Sequence, residues 1–159
     1  MDKNIPIRIK NTFAPEDEGT QIVKDAKGAN NNVRGISTIG KITLLSIEGS
    51  GMVGVPGISK RVFGTLSSKN VNIVLITQAS SEHSICVAID DKNAAKAKAA
   101  LDEEFAYELS IHKINPTIVE KGLSIIAVVG ENMKNHTGIS GKMFKALGRN
   151  GVNIRAIAQ

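Results

Sequence analysis

Shifting the sequence by 81 residues lays positions 42–78 onto positions 123–159 without a gap, and twelve of the 37 aligned residues are identical. The shared residues include Gly-Ile-Ser, a Phe, a Leu, Val-Asn-Ile and a closing Gln. A match of this length marks a duplicated structural unit, so any fold proposed for the chain must accommodate the same piece twice.

Each copy parses alike. An aliphatic, β-branched run (42–47; 124–129) predicts a strand ending at Gly49 or Gly130. A helix follows, with Ile58, Val62, Phe63 and Leu66 in the first copy and Ile139, Met143, Phe144 and Leu147 in the second, spaced as one buried face requires. Asn70 and Gly151 stand at equivalent places just past the helix end, and both residue types tolerate the left-handed conformation of a C-cap. A second strand then runs to Gln78 or Gln159.

Only the first copy continues. A strand is predicted over 84–89, a turn at Asp90 and Asp91, a helix with Ala94, Ala97, Leu101 and Phe105 on one face, and a fourth strand in which Tyr107, Leu109 and Ile111 alternate. The order βαββαβ in an α/β composition predicts a ferredoxin-like α+β sandwich, an antiparallel sheet with two helices on one face. The second copy lacks half of these elements. Ile5, Ile7 and Ile9 alternate with Pro6, Arg8 and Lys10 as an edge strand would, and this segment is expected to pair with the second unit. The expected organisation is therefore a complete first unit over 41–115 inserted into a second built from 1–13 and 121–159 and incomplete at its C-terminus. Residues 14–40, rich in Gly, Asn, Asp and Glu, read as an irregular connection.

Composition narrows the function. Hydrophobic residues make up 42% of the 159, enough for packed cores and against intrinsic disorder. Aromatics are only 3% with no Trp, which removes the stacking platforms of single-strand-binding proteins. The net charge of +5 lies wholly in the last 39 residues, which carry six basic and one acidic side chain. Lys142, Lys145 and Arg149 recur at helical spacing opposite the apolar positions, a solvated helix face rather than a nucleic-acid stripe. The single Cys86 excludes an internal disulfide and fits a reducing compartment. With no apolar run long enough for a span or a signal peptide, the expectation is a soluble cytoplasmic protein, with no nucleic acid or membrane as partner.

Little of the chain reads as catalytic. His83, His112 and His136 have no metal-ligand spacing, and residues 15–18 form a solvated acidic run. Gly49, Gly51 and Gly54 satisfy GxGxxG between a strand and a helix, but no acidic residue closes the following strand to bind a ribose, and the second copy keeps only Gly130. A glycine turn at a helix N-terminus can still offer backbone N–H groups to a carboxylate. Gln78 and Gln159, closing a strand in both copies, are either surface residues or amides that hold a small polar ligand against that turn.

These residues resemble the paired ACT regulatory domains of aspartate kinase. Residues 7–20 (IRIKNTFAPEDEGT) are similar to the segment that leaves the kinase's catalytic domain, 54–84 to its first ACT unit and 138–159 to its second. The endings Ile76-Thr77-Gln78 and Ala156-Ile157-Ala158-Gln159 look most like the threonine-sensitive branch, often fused to a homoserine dehydrogenase. The resemblance implies an amino-acid effector site at Gly54, Val55, Pro56, Gly57 and Ile58, with Asn72 and Ile73 on the adjacent strand and Gln78 and Gln159 as threonine-binding positions. Lysine-sensitive relatives tend to carry aspartate where Val74 stands, so threonine is favoured over lysine, whose ammonium would lack a counter-charge. It also implies a homodimer formed through ACT domains, a kinase domain elsewhere in the parent polypeptide, and ATP and magnesium only there. The chain itself is expected to be catalytically inactive and to need no cofactor. The rival readings are a free-standing amino-acid sensor subunit and a small nucleotide-binding enzyme domain.

Overall fold

The computed structural model describes residues 5–22, 33–78, 82–130, 133 and 136–158. Strands β1 (Ile7–Ile9) and β2 (Thr20–Ile22) form a small two-stranded sheet. They are followed by β3 (Gly35–Glu48), α1 (Ile58–Ser68), β4 (Ile73–Gln78), β5 (Ser84–Asp90), α2 (Ala94–Glu104), α3 (Ala106–Ser110), β6 (Ile118–Val129) and α4 (Ile139–Arg149). The main sheet has the order β4-β5-β3-β6, every neighbour antiparallel. From Ile42 onward this is the βαββαβ sandwich anticipated for the first unit.

Alternation along the strands sorts the core into two faces. Leu45 and Ile47 on β3 and Ile85, Val87 and Ile89 on β5 point to the helices, where Ile58, Val62 and Leu66 of α1 and Ala97, Leu101 and Phe105 of the α2 region close over them. Full burial of each such Leu, Ile or Val contributes about 1.5–3 kcal/mol over leaving it exposed. On the opposite face Ile42, Leu44 and Ala88 are covered by Leu75, Cys86, Leu123, Ile125 and Ala156. Cys86 is thus a packing residue, its sulfur 3.2 Å from the Ser46 hydroxyl.

The duplication is visible in the backbone. Gly57 and Gly138 precede α1 and α4 with φ/ψ of 91/−2 and 85/0. At the other end Asn70 and Gly151 both take positive φ, 53 and 69. Val71 N–H donates to Leu66 C=O and Asn70 N–H to Ser67 C=O; Val152 and Gly151 repeat the pair onto Leu147 and Gly148. This is the Schellman arrangement, and in the first unit its hydrophobic contact, Val71 with Leu66, is buried. The apolar residues of α4 are only half-buried. Its counterpart α1 instead buries Ile58, Val62 and Leu66 against the main sheet.

Strands β3 and β6 pair along most of their length. Residues 42–46 of β3 pair with 118–123 of β6, and residues 35–39 pair with 125–129. Between Ile39 and Leu44 the register slips twice. Gly40 and Lys41 oppose Ser124, then Lys121 and Gly122 oppose Thr43, so each strand carries one extra residue and the register is restored. Lys41 (φ 58) and Gly122 (φ 73) supply the positive dihedrals, and the paired bulges increase the local twist.

Four expectations need correction. Tyr107, Leu109 and Ile111 are not a strand: Leu109 N–H bonds Phe105 C=O and Ile111 N–H bonds Tyr107 C=O, closing α3, and the edge strand is formed later by β6. Residues 5–9 pair instead within the small sheet, Ile7 facing Ile22 and Ile9 facing Thr20, and it is 35–39 that pair with 125–129. Residues 14–40 are accordingly not wholly irregular, since they contain β2 and the start of β3. Residues 152–158 carry no assigned strand, so the second copy's closing strand is not formed among the described residues. No helix among the described residues is long and apolar enough to cross a membrane.

Candidate functional site

The loop from β3 to α1 holds the glycines that matched a dinucleotide fingerprint, and their geometry explains them differently. A Cβ on Gly49 would lie 2.3 Å from the Lys113 carbonyl oxygen, and one on Gly51 would lie 2.6 Å from Lys113 Cβ. Gly51 N–H donates to Lys113 C=O at 2.8 Å, and Asn115 N–H donates to Glu48 C=O at 2.8 Å. The first two glycines therefore exist to let the chain between α3 and β6 cross the loop at van der Waals distance. That crossing chain, rather than a phosphate cradle, accounts for the first two glycines of the GxGxxG match.

Beyond the crossing the loop turns outward. Gly54 (φ 67) and Gly57 (φ 91) adopt left-handed conformations, with nothing within 4 Å of a Cβ built on either. Residues 54–58 consequently arch over a cavity of about 480 Å³ lined also by Met52, Ser59, Gln78, Glu82 and Ile85. This volume lies within the range of small-molecule sites. Met52, Ile58 and Ile85 are buried and form an apolar floor, while Val55 and Pro56 are exposed.

The polar inventory is short. Gly57 has no side chain to cap α1, and the first turn contains no acidic residue, so no side chain of the helix itself offsets its positive end. Gln78 closes β4 at the cavity, paired with Ile85 of β5, and offers a neutral amide that both donates and accepts. Glu82 Oε2 accepts from Gly54 N–H at 2.9 Å. Such a set suits a small zwitterion: backbone N–H groups for a carboxylate, oxygen acceptors for an ammonium, and apolar surface for a short side chain.

Gly54, Val55, Pro56, Gly57, Ile58 and Gln78 meet around this cavity. Asn72 and Ile73 do not join them. Ile73 pairs with Ile89, at the far end of β4 from Gln78, roughly 15 Å along the strand, and it packs against the core. Val74 does not line the cavity either. Gln159 lies outside the described residues. Glu82, Ser59, Met52 and Ile85 were not anticipated. Ser59 is the last residue of the repeated Gly-Ile-Ser, which points to it, but Glu82 falls past the end of the repeat and carries no sequence signal.

The helix beneath the turn is fixed from behind. Arg61, one turn into α1, bonds the carboxylates of Glu104 and Glu108 and the Glu104 carbonyl. These hydrogen bonds raise the pKa of the Arg61 guanidinium further and hold the Glu108 carboxyl below the usual range. A second tie links α2 to the residue before β6: Asp102 accepts from Thr117 N–H at 3.0 Å and pairs with Lys98. Burial pushes its pKa up, but the bonds from Lys98 and Thr117 outweigh this and the net shift is downward.

Comparison with known proteins gives a consistent picture. The ACT domain family model matches residues 45–105 and 126–159. A bifunctional aspartokinase/homoserine dehydrogenase of Haemophilus influenzae is 41% identical over 159 residues, the whole of this chain and 20% of that protein. The chloroplastic bifunctional aspartokinase/homoserine dehydrogenase 1 of Zea mays is 39% identical, over all of this chain and 18% of its own length. The chain thus spans about a fifth of these relatives. Among solved structures, the aspartate kinase of Clostridium acetobutylicum superposes with a TM-score of 0.78 at 28% identity, covering 99% of this chain and 36% of that one. The regulatory subunit of aspartate kinase from Thermus flavus, at 22% identity and a TM-score of 0.68 over 81% of this chain and 83% of its own, shares the fold.

Proposed function

The chain belongs to the ACT-domain family, and on that premise we propose that it is the regulatory region of an aspartate kinase, binding an amino-acid end product for feedback inhibition, with L-threonine as the effector. The observation that carries this reading is the cavity that gathers the 54–58 turn and Gln78 over an apolar floor. In it the effector's carboxylate lies against the turn and the start of α1, its hydroxyl meets the Gln78 amide, and its short side chain rests on Ile58. Threonine is supported by the alignment with bifunctional aspartokinase/homoserine dehydrogenases over the whole chain, the branch to which its strand endings are similar.

In this reading the parent polypeptide phosphorylates aspartate, the present chain has no catalytic role, and the units form a homodimer through their ACT domains in the cytoplasm. Inhibition follows if the effector binds one arrangement of the kinase better than another, because equal affinity shifts no population. Two units, one around 41–115 and one centred on 121–159, then act as tandem modules.

One observation favours lysine as a second reading. Glu82 brings a carboxylate to the cavity, which could receive a side-chain ammonium in place of the aspartate absent at Val74. Calorimetric titration of the purified chain with L-threonine, L-lysine and NAD at equal protein concentration tests both. Threonine-selective heat supports the proposal, lysine-selective heat replaces the effector, and heat with NAD alone overturns the regulatory reading.

A further inference from the structure

The cavity is already engaged by an anion of the protein's own making. Gly54 N–H, in the left-handed turn that roofs the cavity, donates at 2.9 Å to Glu82 Oε2. The neighbouring carbonyl, that of His83, accepts from Gly49 N–H at 3.0 Å, so residues 82 and 83 clasp the glycine loop at both ends. The two contacts differ in kind. The Gly49 bond extends the backbone ladder of β3 with β5, whose last pair is Glu48 with Ser84, and cannot be released without fraying the sheet. The Gly54 bond is made by an exposed side chain and can be released by rotating it into solvent. Glu82 makes it from a left-handed backbone, φ 57, a conformation unfavourable for a residue with a Cβ.

We propose that Glu82 is a built-in competitor for the effector: its carboxylate holds the Gly54 amide in the empty chain, and the carboxylate of an incoming amino acid must displace it. This rests on the reading of the cavity as an amino-acid site. Both groups are carboxylates seeking the same N–H, and two anions at one turn repel, so occupancy by one excludes the other. A competitor held beside the loop by the adjacent Gly49–His83 backbone bond acts at a high effective concentration, which raises the effector level needed for occupancy without altering the contacts of the bound state. Glu82 thereby sets the threshold at which the site responds. Its expulsion is also the first movement that binding transmits, because Glu82 lies two residues before β5, a central strand of the sheet.

The test compares the unmodified chain with Glu82→Ala and Glu82→Gln, using L-threonine and L-threoninamide as probes and following the Gly54 amide by NMR and hydrogen exchange. In the empty Glu82→Ala chain the Gly54 amide should exchange faster. L-Threonine should bind it roughly three- to tenfold more tightly, as expected if most of the empty population is latched, with Glu82→Gln between the two. L-Threoninamide, which has no carboxylate, should gain nothing from either substitution. Equal or weaker threonine binding by Glu82→Ala would overturn the proposal and make Glu82 a contact of the bound ligand. If no chain binds threonine, the effector assignment fails by itself. The latch is then judged by the Gly54 amide alone, faster exchange in Glu82→Ala supporting it and unchanged exchange overturning it.

Discussion

The guanidinium of Arg61 lies 4.3 Å from the centroid of the Phe105 ring, over a side chain that is 1% exposed. Because Arg61 also bonds Glu104 and Glu108, one side chain joins α1, whose N-terminus lines the cavity, to α2 and α3. A cation over an aromatic face at a partly exposed site adds about 0.5–1 kcal/mol and exposed ion pairs about 0–1 kcal/mol each. Arg61→Ala should therefore lower the stability of the chain by about 1–2 kcal/mol, read as a reduced urea midpoint with an unchanged slope. A midpoint that does not move would show the cluster to be ornamental.

Stability should fall in acid. The Glu108 carboxyl, held down by the hydrogen bond from Arg61, and the Asp102 carboxyl, held down on balance by Lys98 and Thr117, both protonate less readily in the folded chain than in the unfolded one. Their contribution is complete above the ordinary carboxylate values, 4.5 and 3.8, and is lost as pH falls through the lower folded values. Urea midpoints measured from pH 7 to pH 3 should decline on the acid side, and Asp102→Asn should flatten that decline. An identical slope in the variant would contradict the assignment.

Two glycine substitutions should have opposite signs. Gly49→Ala forces a methyl group against the Lys113 carbonyl, a backbone atom that cannot step aside, and should destabilise by about 2 kcal/mol or more. Gly64 lies in the interior of α1 with nothing within 4 Å of a built Cβ, so Gly64→Ala should stabilise by about 0.5–1 kcal/mol through helix propensity. Thermal denaturation of the two variants side by side gives the comparison.

Gly57→Ala separates backbone strain from crowding. A Cβ there meets no atom within 4 Å, but φ is 91, so the cost is conformational, about 1–2 kcal/mol, and relaxing it would flatten the arch over the cavity. The variant should remain folded by circular dichroism and bind threonine more weakly. Unchanged affinity would remove the turn from the site.

Much of this architecture was legible because the chain states it twice. Gly57 and Gly138, and Asn70 and Gly151, stand at matching positions of the repeat, and their dihedrals agree. Helix faces such as Ile58, Val62 and Leu66 follow from spacing alone. The misreadings have physical causes. In residues 107–111 the pattern of alternate apolar residues is too short to distinguish a period of 2 from one of 3.6, and the main-chain bonds from Leu109 to Phe105 and from Ile111 to Tyr107 decide for a helix. Residues 5–9 do alternate, but alternation says nothing about the partner, and Thr20–Ile22 supplies one nearby. Six of the anticipated site residues surround the cavity because a turn and a strand end are local features. Asn72 and Ile73 fall away from it because a strand carries its two ends far apart. Glu82 reaches Gly54 across 28 positions of sequence, and no local pattern encodes that contact.

The most direct test of the central claim is an amide-resolved NMR titration of the chain with L-threonine, with L-lysine as the control. Saturable shifts centred on Gly54, Gly57, Ser59 and Gln78, present with threonine and absent with lysine, are the predicted result. Saturable shifts elsewhere with these amides silent, or the same response to lysine, would contradict the account.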